Sequence, residues 1–532
     1  LSYPRVLPVG DAAATLELGD SIDATLNARV RAADAALQER PFTGLLECAP
    51  AYRSLLVRFE PRLLAFDGVR EELLRVAQAA TACQPASPRR HALPVCYGGE
   101  HGPDLARVAA RHGLSPADVV RLHAAPEYTA FLLGFMAGFA YLGILDQRLE
   151  TPRIPTPRTR VPVGSVGIAA RQTGVYPISS PGGWNLIGRT AARLFDPYAP
   201  RVTLIEPGDV VRFEPVAELE EAPVPADEPL VTREPAFELL APGLLTTVQD
   251  LGRTGQRRRG IGGAGAADRA SFLLANRALA NDEGAAALEC TVSGPTLRFL
   301  RPVRFALAGA DLGALLQRDD LGAWPVPHGR SVLARPGNVL SFAGRRSGCR
   351  GYVAFAGGLD VPLMLGSRAT DLGSGFGGLQ GRPLRQGDVL GALDNRREPP
   401  ALAPGAPGVD GDSARVRVVL GPQQQAFTQA ALEAFLGESW NVGATSDRIG
   451  CRLQGPKLEH AGAKEIVADG MVPGCIQVPP DGQPIVMLAD CPSTGGYPKI
   501  ATVVSADLGK LAQLLPGQGC VRFEVVPEQE AT

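Results

Sequence analysis

Two glycine-rich loops hold the residues best suited to chemistry. One is Gly182-Gly183-Trp184, followed by Asn185 and Arg189; the other is Gly495-Gly496-Tyr497-Pro498-Lys499, with Asp490 shortly before it. Glycine reaches positive φ without steric cost, so such turns can expose backbone N–H groups. With a cation beside them, those donors suit an oxyanion held against an aromatic wall. A tight turn closing over a buried aromatic is the competing reading. Tyr141, Asp146, Arg153, Arg158, Gln172 and Tyr176 crowd the same part of the sequence as the first loop.

The two loops belong to a longer repeat. Residues 161–190 and 472–503 each open on proline and glycine, continue in a short alternating run and close on Gly-Gly-aromatic. In both, isoleucine follows three residues after the aromatic: Ile187 after Trp184 and Ile500 after Tyr497. Self-similarity of this kind points to a duplicated module. The strands VVRFEPV (210–216) and GQGCVRFEVVP (517–527) close the two halves alike.

A chain of 532 residues exceeds one ordinary core. Its 62 glycines and 47 prolines, beside 45% hydrophobic residues, indicate many turns in a folded protein. A formal charge of −2 with interspersed signs argues against nucleic acid as a partner. The nine cysteines show no Cys-x-x-Cys pair, which fits reduced thiols in a cytoplasm. The start LSYPRVLPVGD has no signal-peptide pattern. The uncharged run 129–145 is short of the ~20 residues a membrane helix needs, so it reads as buried core.

The expected architecture is mainly β, with an α+β N-terminal unit and several compact barrel-like modules. Residues 1–90 form the first unit, with helices at 21–38 and 67–80, the latter capped by Asp67, and a strand at 54–59. Residues 91–218 form the second, with helices at 104–111 and 116–123, Ser115 capping the latter, before a strand-rich run. An acidic, proline-rich linker covers 219–236. Units at 237–400 and 413–527 follow, separated by a Pro/Gly-rich break at 399–412, with helices at 268–281 and 425–435. Asp268 suits a helix N-cap. There is no P-loop, no His-Glu-x-x-His, no Gly-x-Ser-x-Gly and no Ala-Met-Lys-Met biotin attachment site, and no metal cluster is expected.

The stretches GFAYLGILDQRLETPRIPTPR and VPVGSVGIAARQTGVYPISSPGGWNLIGRT closely resemble the KipI family, which is also the B component of 5-oxoprolinase. The stretches GLLTTVQDLGRTGQRRRGI, ANRALANDEGAAALECTVSGP, GYVAFAGGLDVPLMLGSRATDLGSGFGGLQGRPLRQGD and GCIQVPPDGQPIVMLADCPSTGGYPKIATV resemble KipA, the C component. The order is that of a KipI-KipA fusion. The resemblance implies cyclophilin-like β-barrel modules and a kinship with the carboxyltransferase part of urea carboxylase. The names "allophanate hydrolase subunit 1" and "subunit 2" also attach to these families, but no amidase signature accompanies them here.

The activity implied is ATP-dependent opening of 5-oxoproline to glutamate, with Mg²⁺ and a separate LamB/YcsF-type A component. A biotin-dependent carboxyltransferase acting on a small amide is the alternative. A regulator that binds a histidine kinase is a second one. Lactam opening needs carbonyl activation, oxyanion donors and a proton carrier. On this reading Asp490 and Lys499 are the catalytic candidates. Arg158, Gln172, Tyr176, Gly182, Gly183, Trp184, Arg253, Asp268, Arg368, Asp371, Arg448, Gln477, Gly495, Gly496 and Tyr497 line the substrate or nucleotide site. The chain departs from the family pattern at Ala137, where proline is usual. It departs again at Ala264 to Asp268, usually Ser-Gly-Ala-Met-Asp, and at Cys491-Pro492-Ser493, usually Arg-Gln-Thr.

Overall fold

The computed structural model describes residues 2–80, 88–219, 234–393, 397–400 and 412–527. Most of the two expected linkers, around 219–236 and 399–412, lies outside these. The N-terminal unit is a four-stranded antiparallel sheet in the order Arg5–Pro8, Ala13–Glu17, Ser54–Phe59, Leu45–Pro50. Helices Ala24–Glu39 and Phe66–Ala79 pack on it. Asp23 caps the first by accepting from the Leu26 N–H at 2.8 Å, and Val30, Ala33 and Leu37 are buried as their spacing predicts. The second helix begins one residue before the expected Asp67 cap. Phe66 packs against the core and draws the first turn back, so Asp67 lies inside that turn, at the positive end of the helix dipole.

The repeat seen in the sequence is a repeat of topology. A seven-stranded closed barrel runs, neighbour to neighbour, through Gln172–Val175, Ala140–Gly143, Tyr128–Leu133, Val210–Pro215, Arg90–Tyr97, Asn185–Arg189 and Ser165–Ala169. The last unit closes a second seven-stranded barrel. In each, the final strand pairs in parallel with the first: Val210–Pro215 with Arg90–Tyr97, and Cys520–Val525 with Ser413–Leu420. The other strand pairs described in the two barrels are antiparallel. Helix Pro116–Ala124, with Ser115 in a capping box, packs on the first barrel. The apolar run 129–145 supplies two of its strands. Among the described residues, no helix is long and apolar enough to cross a membrane.

His123 is buried inside this first barrel. Its ring nitrogens lie 2.7 Å from the Tyr97 hydroxyl and 2.8 Å from Thr173 Oγ1, and Phe213 lies 4.6 Å away, centroid to centroid. Burial lowers its pKa from the ordinary 6.5 to about 3. Between those values the unfolded chain binds a proton that the folded chain refuses, so stability rises with pH across the window and falls on acidification. The expected loss is up to about 1.4 kcal/mol per pH unit below the ordinary histidine pKa. Melting midpoints between pH 7 and 5 should fall more steeply for the native chain than for His123→Gln; parallel curves would refute this.

Between the barrels in sequence, residues 235–392 form two sheets around one core. The five-stranded sheet is centred on Ser347–Phe355, and the seven-stranded sheet contains Pro235–Ala241. Phe237 stacks on Phe355 across the gap at 4.5 Å. Strand Val303–Asp311 shows the two-residue period: Phe305 and Leu307 face this core, whereas Ala306 and Ala308 face helix Arg269–Arg277. That helix stops short of the expected residue 281, since Ala280 turns to φ 52°. The last expected helix begins later than 425, at Gln429, with Thr428 as its cap; Gln424–Ala426 form a 3-10 turn instead.

Candidate functional site

The two Gly-Gly-aromatic loops occupy matching places. Strand Ser180–Gly182 pairs with Arg158–Val161, and Thr494–Gly495 pairs with Asp469–Gly470. In register, Gly182 opposes Arg158 and Gly495 opposes Asp469. One position therefore holds opposite charges in the two copies. Arg158 is tied to Asp104 at 2.8 and 2.9 Å, and Asp104 also accepts from the Leu186 N–H at 2.7 Å. Asp469 instead receives Lys499 Nζ at 2.8 Å and Ser54 Oγ at 2.6 Å. Burial would raise the Asp469 carboxyl, but Lys499 and Ser54 outweigh it and hold it low.

The first loop closes an aromatic chamber. Trp184, Tyr176, Tyr141 and Phe139 meet edge to face at 4.9–5.8 Å, joined by Tyr52 and Phe131. Gly182 has to be glycine here, because a Cβ would stand 2.5 Å from the Tyr176 hydroxyl. Val467 and Ala468 of the last unit pack on this cluster. Thr494 also enters from that unit, its hydroxyl beside Tyr141 and accepting from the Phe135 N–H at 3.0 Å. Burial pushes the Tyr141 and Tyr176 phenols up to about 12 and Tyr52 well above its ordinary range. The Tyr52 hydroxyl is buried without a hydrogen-bond partner among the described residues.

Asn27 holds this chamber to the N-terminal helix. Its amide donates to the carbonyls of Ala51, Tyr52 and Phe131 at 3.0–3.2 Å. Asn27→Ala strands three buried acceptors, with an expected cost of about 1–3 kcal/mol. A lowered melting midpoint, with altered near-ultraviolet circular dichroism from the chamber aromatics, is the expected result; an unchanged midpoint would refute it.

A second cluster lies between the two-sheet unit and the last barrel. Arg448 grips both oxygens of Asp490 at 2.8 and 2.9 Å, bonds Glu289, and donates to the Gly265 carbonyl at 2.7 Å. Tyr352 donates to Glu289 at 2.8 Å and accepts from the Asp268 N–H at 2.8 Å. Asp268 caps its helix as expected and also takes Gln513 Nε2 at 2.7 Å. Burial would pull Arg448 down, but Asp490 and Glu289 hold it above its ordinary pKa. Glu289 is held low against burial by Arg448 and Arg350.

Arg253 lies near this cluster. One of its nitrogens donates to the Ala369 carbonyl, and its guanidinium stacks 4.3 Å from the Phe376 ring centre. Its Nε and Nη1 are buried with no hydrogen-bond partner among the described residues. Burial lowers its pKa, opposed at range by Asp371, Asp250 and Asp490. In the adjoining loop, Ala264 is held at φ 50°, a conformation costly for a residue with a Cβ.

The loop 490–497 joins the two clusters, from Asp490 at one end to Thr494 and Gly495 at the other. Between them, Cys491 is buried against Arg257, whose Nη1 is 3.6 Å from the thiol and 3.0 Å from the Met471 carbonyl. Arg257 also bonds Glu47 of the N-terminal unit at 3.1 Å, locking the two halves. A cation at position 491 would face the Arg257 guanidinium here.

The structure therefore brings Arg253, Asp371, Arg448, Asp490 and Asp268 to one seam, and Tyr176, Gly182, Trp184 and Gly495 to the other. Gln477 sits beside Gly495 with its buried Oε1 unpartnered among the described residues, and Gly496 accepts from the Ile466 N–H at 2.9 Å. Gly183 accepts from the Ile154 N–H at 2.9 Å, Tyr497 is half-buried, and Gln172 opens a barrel strand. Arg368 is turned to the Val361 carbonyl at 2.9 Å. Lys499 is 1% exposed and committed to Asp469. Five further residues of these seams, Tyr52, Glu289, Asp469, Arg257 and Thr494, carry no local signal in the sequence.

Two family models match the chain: carboxyltransferase domain, subdomain C and D, over residues 4–205, and carboxyltransferase domain, subdomain A and B, over residues 259–525. The chain belongs to the carboxyltransferase domain family. It is similar to the C subunit of 5-oxoprolinase from Escherichia coli, 40% identical over 286 residues, 53% of this chain and 89% of the relative. It is also similar to the B subunit of 5-oxoprolinase from Bacillus subtilis, 42% identical over 225 residues, 40% of this chain and 93% of the relative. Urea amidolyase of Lachancea kluyveri is 34% identical over 321 residues, 56% of this chain but 17% of that protein. Among solved structures, that of TTHA0988 matches with a TM-score of 0.85 at 37% identity, covering 96% of this chain and 99% of that one. This carboxyltransferase-domain chain thus carries homologues of both oxoprolinase subunits, consistent with a B/C fusion.

Proposed function

We propose that the chain is the fused B/C component of a cytoplasmic, ATP-dependent 5-oxoprolinase, opening 5-oxoproline to glutamate with a separate LamB/YcsF-type partner. The observation that supports this most is the loop 490–497. It belongs to the half that resembles the oxoprolinase C component, yet through Thr494 it completes the aromatic chamber of the half that resembles the B component. Fusion of the two families thus accompanies a site built from both.

The donor set suits an anionic, oxygen-rich reactant. Arg253 offers two uncommitted nitrogens, Nε and Nη1, and guanidinium forks suit carboxylate and phosphate oxygens. Asp371, which accepts from the Ser374 N–H at 2.9 Å, acts on the same guanidinium at range and is the proton carrier we favour. Tyr141, Tyr176 and Trp184, packed edge to face with Phe139, give this seam a buried apolar wall. ATP would supply carbonyl activation when bound, with the Arg253 nitrogens available to its phosphate oxygens, and an accompanying magnesium ion would neutralise phosphate charge.

The test supplies the purified chain and its LamB/YcsF-type partner with 5-oxoproline, ATP and Mg²⁺, and follows glutamate and ADP together. Coupled production that needs both proteins is expected; none from a folded, assembled pair would sink the reading. The family description and the likeness to urea amidolyase favour a second reading, carboxyl transfer from biotin to a small amide. Retention of a biotinylated partner and bicarbonate-dependent product would support that instead.

A further inference from the structure

We propose that the cavity where the N-terminal unit, the first barrel and the C-terminal half meet is a binding site for a small, multiply charged anion of the phosphate class. It measures about 840 Å³ and shares no residue with the aromatic chamber or the buried charge cluster. Helix Ala24–Glu39 forms one wall, the turns at 200–209 another, and the turn Arg257–Arg259 a third.

Five arginines line it: Arg31, Arg89, Arg201, Arg258 and Arg259. They face three carboxylates, and three of the arginines are matched. Arg258 pairs with Asp34 at 3.1 Å, Arg259 with Glu206 at 3.1 Å, and Arg201 with Asp209 at 3.0 Å. Asp209 also takes His91 at 2.9 Å. Arg31 and Arg89 have no carboxylate partner among the described residues. Five cations less three anions leaves two positive charges in excess.

Arg31 is held in place for such a ligand. Its Nε donates to Asn27 Oδ1 at 3.1 Å, which fixes the guanidinium plane and leaves the terminal nitrogens for a ligand. Those nitrogens lie over Gly208, where the backbone stands at φ 96° and a Cβ would fall 2.3 Å from Nη1. The Nε atoms of Arg201 and Arg258 are buried without partners among the described residues. Keeping a guanidinium partly desolvated and unpaired is costly, and an anion would relieve that cost. A lone carboxylate offers one charge. A phosphate oxyanion offers two and matches the arginine fork. The volume admits a di- or triphosphate, either free or carried by a nucleotide.

The proposal stands apart from the oxoprolinase reading, because binding is measured on this chain alone, without turnover. Calorimetric titration of the full chain with sodium triphosphate, and separately with ATP, should show saturable binding that weakens as salt is added. In the double variant Arg31→Gln/Arg89→Gln, binding should be at least ~10-fold weaker at an unchanged melting midpoint, each lost charge-assisted contact contributing. Arg89→Gln alone, on an exposed side chain, should weaken binding at least ~3-fold and serves if the double variant misfolds. Tighter binding of ATP than of triphosphate assigns the site to a nucleotide, and the reverse to free polyphosphate; both support it. No saturable heat from either anion, or unchanged affinity in the folded variants, overturns it.

Discussion

Arg448→Met is expected to destabilise the protein by about 3–5 kcal/mol, more than any other single exchange we predict. Arg448 is 4% exposed, and it serves as the common partner of Glu289 and Asp490, both buried. Removing it leaves two buried carboxylates without the cation that bridges them. Arg350 is 3.8 Å from Glu289 and too far to replace the lost contact. Part of the cost is evaded by protonation, so the loss should shrink on acidification as the carboxylates take up protons. Arg448→Lys should recover little, because an ammonium cannot bridge Asp490 in two-point fashion while also reaching Glu289 and the Gly265 carbonyl. Thermal melting at pH 7.5 and pH 5.5 reads both effects. A midpoint within a degree or two of the native chain would show that the network contributes nothing to stability.

The repeat was legible in the sequence because its signals are local. Gly182 and Gly495 are required where a strand ends against a neighbouring side chain, Tyr176 in one copy and Met471 in the other. A turn glycine with an aromatic after it is visible without knowing what it packs on. The closing strands were legible for a similar reason, since alternation at Val211 and Phe213 returns at Val521 and Phe523, all four buried. Helix caps at Ser115 and Asp268 followed from spacing alone.

Partnership across long separations was not legible. Ser54 and Asp469 are 415 residues apart, yet they share a 2.6 Å hydrogen bond beside Lys499. On its own strand Lys499 looks like a cation available to a ligand; only the fold reveals the carboxylate that occupies it. Glu289 and Tyr52 sit in ordinary alternating stretches, and nothing nearby marks them as buried. Closure of a sheet into a barrel depends on tilt and stagger around the whole circuit, so the same strand-and-turn text gives two barrels and, at 235–392, a pair of packed sheets. Arg253, Arg448, Asp371 and Asp490 stood out by residue type. Their division of labour, with Arg448 satisfied and Arg253 left with free donors, required the geometry.

That division underlies the last prediction. Arg253→Met is expected to lower turnover of the assembled complex about 10²–10³-fold, the usual effect of deleting one oxyanion donor. Its melting midpoint should be unchanged or raised. The two outcomes belong together because the Arg253 guanidinium is buried with Nε and Nη1 unsatisfied among the described residues. A buried cation lacking full pairing costs stability, and an apolar side chain of similar length removes that cost while keeping contact with Phe376. A purely structural arginine behaves the other way, with a lower midpoint and activity lost only in proportion to unfolded protein. Arg253→Lys should not restore turnover, since its ammonium lacks the planar fork. Added guanidinium should partly rescue Arg253→Gly, by occupying the space the side chain leaves beside Ala369 and Phe376. Full activity in Arg253→Met would remove the residue from the site and shift attention to the aromatic chamber, where the Tyr52 hydroxyl is a buried donor unpartnered among the described residues.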